Sequence, residues 1–240
     1  MKKIIQTLLL LLPLSGFAAG GGVKLQHVDI DLEDYASIQK GAEHYVKYCL
    51  GCHSAKYMRY KRLAMDIEID EEVVLAEIAP EGANIYDPML TAMNDHDSKK
   101  WFGTNPPDLS LIARIRGGDW LYTYLKGFYT DPSKPLGVNN TVFKDVGMPN
   151  MLWQLQGVQS PVIVKVHGED VITHLKLQEK GQLSRREFDQ FVTELVNFLV
   201  YVGEPVQLER QKLGKYVLFF LLMFTIIAYL LKKEYWKDIH

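Results

Sequence analysis

The chain has 240 residues, a formal net charge of -2 and 48% hydrophobic residues, enough apolar material for one or two buried cores. Its charge balance, with no clustered Lys/Arg surface, excludes a nucleic-acid-binding protein, and no nucleic-acid partner is expected. No internal repeat and no glycine-rich phosphate loop is present.

The chain opens on Lys2 and Lys3, an apolar run from Thr7 to Leu14, and small residues through Gly22. That layout predicts a secretory leader over residues 1–20, cut among Ala18, Ala19 and Gly20, and an uncleaved anchor is disfavoured because the run is short for a bilayer span. A mature domain over 21–202 follows. Ile38, Ala42, Tyr45, Val46 and Cys49 fall at helical spacing after Ser37, which is placed to cap the helix.

This helix leads into Cys49-Leu50-Gly51-Cys52-His53, which holds both cysteines of the chain. An exported protein with two cysteines would ordinarily pair them, but C-x-x-C-H is the attachment pattern for a c-type haem. Thiols about one helical turn apart reach the two vinyl groups as thioethers, and the next residue offers an imidazole to the iron. The rival readings are a thioredoxin-like redox pair, which lacks its strand–helix–strand surroundings, and half a zinc site, which lacks two further ligands at metal spacing. Haem c is attached in the periplasm, where the leader directs the chain.

Between Arg62 and Lys99 there is no Lys or Arg, while Asp66, Glu68, Asp70, Glu71, Glu72, Glu77, Glu81, Asp87, Asp95 and Asp97 all fall there. Such a run is either a solvated face or a steering surface for a basic partner. Further along, Pro106 and Pro107 fix an extended turn suited to the exposed haem edge, and Asp108 is placed to cap the run from Leu109. Arg114 and Arg116 are cations for haem propionates or simply a solvated pair. Gly117 and Gly118 then break the chain before an aromatic-rich helical stretch.

The sixth ligand decides between electron transfer at a closed iron and chemistry at an open one. Met58 and Met65 follow too closely on His53 to reach the opposite face, and Met89 and Met93 lie in the acidic stretch. Met148 sits in Asp145-Val146-Gly147-Met148-Pro149, where Gly147 frees and Pro149 stiffens the backbone. Met148 therefore ranks first and Met151 next, core filling being the default role of any methionine. His174 or His167 would instead give a bis-His iron of lower potential.

Residues 159–177 alternate about His167 to Asp170 and predict a β-hairpin, to which no function is assigned. Ser184 and Glu187 predict a capping box ahead of an amphipathic helix carrying Phe188, Phe191, Val192, Leu195, Val196 and Leu199. A connector over 203–214 leads to an uncharged run from Tyr216 to Leu231, between Lys215 and Lys232–Lys233. At about 1.5 Å per residue it covers roughly 24 Å, and a transmembrane helix over 215–232 is predicted, with Tyr216, Tyr235 and Trp236 as interface anchors. The positive-inside rule places the tail 233–240 in the cytoplasm and the body in the periplasm, on the inner membrane.

In this order, C-L-G-C-H, N-P-P-D-L-S, R-I-R-G-G-D, G-M-P-N, a helix ending N-F-L-V-Y-V-G-E-P and a span closing L-K-K-E-Y-W-K-D-I-H resemble the cytochrome c1 family, in its proteobacterial form, over essentially the whole mature chain. The resemblance implies a mainly α, class I cytochrome c-like haem domain with insertions and one C-terminal transmembrane helix. It implies thioethers at Cys49 and Cys52, iron ligands at His53 and Met148, a propionate partner in Arg116 ahead of Arg114, and a haem-side role for Trp120 beside Pro107. Mitochondrial relatives read R-x-R-H-G-G-E-D, whereas Arg116 is followed directly by Gly117, so the residue between the arginine and the glycine pair is missing here. The implied role is to take an electron from the Rieske iron–sulfur protein and pass it to a cytochrome c docked near residues 66–97. The implied setting is a dimeric ubiquinol:cytochrome c oxidoreductase containing cytochrome b, and the chain makes no bonds of its own. The haem motif and anchor alone also fit an independent tethered monohaem cytochrome c or a terminal-oxidase subunit, and an open iron would suit a haem enzyme or gas sensor.

Overall fold

The computed structural model describes residues 23–166 and 168–238, so the expected leader lies outside the described residues. Helix α1 runs Tyr35–Tyr48, and Asp34 rather than Ser37 caps it, its carboxylate accepting from the Ser37 amide at 3.0 Å. Ser37 faces inward instead, and its hydroxyl oxygen accepts from Asn197 Nδ2 at 3.1 Å. After the Cys–His turn come β1 (Ala55–Arg59), α2 (Tyr60–Asp66), a short helix α3 (Glu71–Val73) running into a π-helical turn at Val74–Ile78, and β2 (Pro88–Met89). Then follow α4 (Asp95–Phe102), α5 (Ile112–Arg116), α6 (Gly118–Lys126), β3 (Phe128–Thr130) and β4 (Val138–Asn140). The chain closes with α7 (Trp153–Gln156), β5 (Gly157–Val166), β6 (Glu169–Lys180), α8 (Arg185–Gly203) and α9 (Gln207–Tyr235). Among the described residues the strands pair only as antiparallel two-stranded ribbons, β1 with β2, β3 with β4 and β5 with β6, so helices carry the core.

That core is built on α1 crossing α8. Ile38, Ala42 and Tyr45 of α1 and Val192, Leu195, Val196 and Phe198 of α8 are fully buried. The crossing is close because Gly41 has no side chain: a Cβ there would run into the Glu194 carbonyl and lie 2.6 Å from Phe198 Cβ. At the start of α8, Ser184 and Glu187 form the capping box the sequence predicts, satisfying two amides that the first turn leaves open. Just before that helix in the chain, the β5–β6 hairpin leaves Ile163, Val164, Val171 and Leu177 exposed. Its base is tied to the body by Gln159, whose Nε2 donates to Phe128 O at 2.9 Å and to Lys126 O at 3.0 Å.

Helix α9 spans 29 residues and contains an 18-residue window of mean hydropathy 2.0, none of it buried. Among the described residues it is the one helix long and apolar enough to cross a membrane. It starts at Gln207, so only Glu204–Val206 separates it from α8, and most of the expected connector is already helical. Glu204 sits at this junction, held by Arg210 at 2.5 Å and by Arg114 at 3.2 Å.

Candidate functional site

The turn after α1 follows from helix termination. The amides of Cys49 and Leu50 still bond Tyr45 O, at 2.8 and 2.9 Å, and those of Cys52 and His53 bond Cys49 O, at 3.0 and 2.8 Å. One more turn is thus wound, with both thiols and the imidazole on it. Burial, with Cys52 alongside, pushes the Cys49 thiol up to about 12, and burial raises Cys52 as well. Thiols held protonated make poor free nucleophiles, which weighs against a redox pair.

His53 is buried, and its orientation is fixed twice: Nδ1 lies 2.8 Å from Pro107 O, and the Tyr45 hydroxyl donates to His53 O at 2.6 Å. A carbonyl can only accept, so Nδ1 carries the proton and Nε2 keeps its lone pair. Burial lowers the pKa of this imidazole and favours the neutral, ligating form. The Pro106–Pro107 turn is held in turn by Leu109 N, which donates to Ser54 O at 2.7 Å, and by Asp108, which accepts from Lys56 N at 3.0 Å. Asp108 does not cap α5, contrary to expectation: its second oxygen accepts from the Ser110 amide at 2.9 Å, closing a local turn, and the helix begins only at Ile112.

The Met148 loop reaches the same region. A Cβ on Gly147 would sit 3.1 Å from Thr104 Cγ2, so this loop packs on the segment that runs into Asn105–Pro107. The Tyr124 hydroxyl donates to Met148 Sδ at 3.3 Å. Burial raises Tyr124 well above the ordinary phenol range, so the hydroxyl stays a donor. Tyr124 stacks on Trp120 with ring centroids 4.9 Å apart at 10°, and the Arg116 guanidinium lies over Trp120 at 4.9 Å. Gly117, at φ 85°, makes the sharp step between α5 and α6 that lets Arg116 fold back over that ring.

The two arginines part company here. Arg116 joins the Trp120–Tyr124–Met148 side, whereas Arg114 lies at the α8–α9 junction on Glu204. On the short helix α5, residues two apart point to opposite sides, and Arg114 takes Glu204 as its carboxylate partner. Among the other sulfur candidates, Met58 and Met89 are fully buried in the core and Met65 and Met151 are exposed. His174 is exposed on β6, facing Val162 across the hairpin, and His167 lies outside the described residues. Tyr45, Tyr124 and Ser54 escape the sequence reading as site residues. Arg116, Trp120 and Tyr124 recur every four positions, and that spacing was the available signal.

The residues fit a covalently attached haem: two uncommitted thiols, a neutral imidazole with a free Nε2, and a thioether on a rigid loop. Beside an apolar C-terminal helix long enough to cross a membrane, they make up the residue set that a c-type cytochrome uses. A family model described as the Cytochrome C1 family matches residues 29–239. Cytochrome c1 of Allochromatium vinosum is 51% identical over 242 residues, covering 100% of this chain and 99% of the relative. A Nitrosomonas europaea protein named ammonia monooxygenase gamma subunit is 44% identical, covering 100% and 99%, and cytochrome c1 of Rhodospirillum rubrum is 26% identical, covering 91% and 90%. The chain belongs to the cytochrome C1 family, whose proteins carry haem c and serve electron transport.

Proposed function

We propose that the chain is the haem c subunit of a ubiquinol:cytochrome c oxidoreductase, taking an electron from a Rieske iron–sulfur protein beside cytochrome b in a dimeric complex and handing it to a cytochrome c. The observation that carries this is the fixed His53, with Nδ1 tied to Pro107 O and Nε2 free, at the end of the Cys49–Cys52 turn. Cys49 and Cys52 would hold the group as thioethers, His53 and Met148 would ligate its iron, and Arg116 would face a propionate, with Pro107 and Trp120 along its edge. Haem c, when bound, supplies a one-electron ferrous–ferric couple. The protein's part is to keep the imidazole neutral and oriented, hold the thioether, and exclude water with the buried neighbours of α1.

The apolar α9 favours a single-pass anchor, with the haem domain in the periplasm and the Lys232–Lys233 end in the cytoplasm. Within the acidic stretch, Asp66 is bound by Arg62 and Tyr201, and Glu71 pairs with Lys61. Glu68, Asp70, Glu72, Glu77 and Glu81 are exposed and would steer a basic cytochrome c. Neutralising Glu72 and Glu77 is expected to flatten the salt dependence of acceptor reduction, and an unchanged slope makes the stretch a solvated face only.

The deciding experiment is isolation in mild detergent with reduced-minus-oxidised spectra. Co-isolation with a cytochrome b and an iron–sulfur protein, and colour retained after acid acetone, are expected. Colour lost to acid acetone overturns the covalent attachment, and isolation alone points to an independent tethered cytochrome. The full-length likeness to the Nitrosomonas relative favours one second reading, the same electron-transfer role within a monooxygenase assembly, and the co-isolating partners separate the two. Rapid carbon monoxide binding to the reduced protein would contradict ligation by Met148.

A further inference from the structure

Met148 Sδ has one polar contact among the described residues, the Tyr124 hydroxyl at 3.3 Å. Tyr124 is itself held from several directions. Trp120 stacks on one face at 4.9 Å, Phe128 meets the ring at 5.2 Å and 69°, and Asn140 Nδ2 donates to the Tyr124 carbonyl at 2.8 Å. Arg116 closes the outer end of the stack over Trp120.

We propose that Tyr124 is a positioning residue that sets both the aim and the donor strength of the Met148 thioether, and that the Arg116–Trp120 stack holds it there. The proposal rests on Met148 as the sixth ligand. A thioether sulfur has two lone pairs on a side chain with three rotatable bonds, so a hydroxyl that engages one pair fixes where the other points. The same hydrogen bond draws electron density from sulfur. A weaker donor favours the ferrous over the ferric state, because the higher charge gains more from donation, so Tyr124 acts to raise the potential.

The test uses the full haem-loaded chain in detergent. Tyr124→Phe keeps the ring and the stack and removes only the donor. The expected results are a lower midpoint potential, a shifted near-infrared sulfur-to-ferric-iron band, and imidazole binding to the ferric protein weakened roughly 2- to 10-fold, the equivalent of one ordinary hydrogen bond, because a sulfur relieved of that bond holds ferric iron more firmly. Trp120→Ala should move all three the same way by less, and Trp120→Phe should restore them. A Tyr124→Phe protein with unchanged midpoint, band and imidazole affinity overturns the proposal. Should that variant not accumulate with haem, deuterium exchange of the unaltered protein decides: the iron–sulfur vibration is expected to shift, and a signal insensitive to exchange overturns the role. Met148→Leu separates the two levels. Loss of the band there with no effect of Tyr124→Phe removes only the positioning role, whereas a band that survives Met148→Leu removes the ligand assignment and the proposal with it.

Discussion

The two sides of the candidate site are held by different kinds of bond. On the His53 side the turn is tied largely through its own backbone: Tyr45 donates to His53 O, Leu109 N to Ser54 O, and Thr91 Oγ1 to Gly51 O at 2.8 Å. On the Met148 side the work falls to asparagine side chains from β4. Asn139 Oδ1 accepts from Asp145 N at 2.8 Å, and Asn140 Oδ1 accepts from Val142 N at 2.9 Å. Both asparagines are buried. A residue inside a short contiguous motif needs only a rigid helix end. One that comes from 95 positions later in the numbering, as 148 is from 53, needs a loop whose shape other segments impose.

The largest effect should come from the scaffold of the His53 side. Gly41→Ala drives a methyl into Glu194 O and should cost about 3 kcal/mol, read as a lower denaturation midpoint, with haem attachment impaired. Next, on the Met148 side, Asn140→Ala strips the acceptor for Val142 N and the donor to Tyr124 O, and should cost about 2 kcal/mol. Haem content should persist while imidazole binds the ferric protein more tightly; if it binds unchanged, the asparagines do not govern the loop. Tyr45→Phe leaves His53 O without its donor and should cost about 1 kcal/mol in chemical denaturation, with the near-infrared band unmoved.

Smaller effects lie away from both sides. Arg114→Ala frees one contact of Glu204 at the α8–α9 junction and should leave the visible spectrum and midpoint unchanged, whereas Arg116→Ala should shift the midpoint. The smallest effect is at the N-terminal segment, where His27 Nδ1 lies 3.2 Å from Asp119 and Val28 N donates to Asp119 Oδ1 at 2.9 Å. A hydrogen bond to Asp119 raises the His27 pKa, and the Val28 amide lowers that of Asp119. The raised histidine contributes fully below its unfolded value near 6.5 and loses that contribution as pH rises through its folded value. The depressed carboxylate contributes above about 3.8 and loses it as pH falls through its folded value. The protection factor of the Val28 amide should therefore peak at mildly acidic pH, and His27→Asn should abolish its fall on the alkaline side.

Much of this was legible because it is local. The helix before Cys49, the capping box at Ser184–Glu187, the hairpin and the apolar C-terminal helix each follow from periodicity or adjacent residues. Where the reading slipped, a nearby competitor took the bond. Asp34 caps α1 one turn earlier than Ser37, and Asp108 spends its oxygens on Ser110 and Lys56. The fate of Arg114 depended on Glu204, ninety positions later, which no local pattern reports.

The sequence alone determined the thiol pair and imidazole at 49–53, the family likeness and the apolar span, since each is a contiguous stretch whose spacing or hydropathy carries its own meaning. Only the tertiary structure decided that Nδ1 of His53 meets Pro107 O, that Tyr124 meets Met148, and that Arg114 pairs with Glu204 while Arg116 lies over Trp120. Those pairings join residues far apart in the chain, and the closure of a long loop is settled by the summed burial of the core and not by any neighbour in sequence.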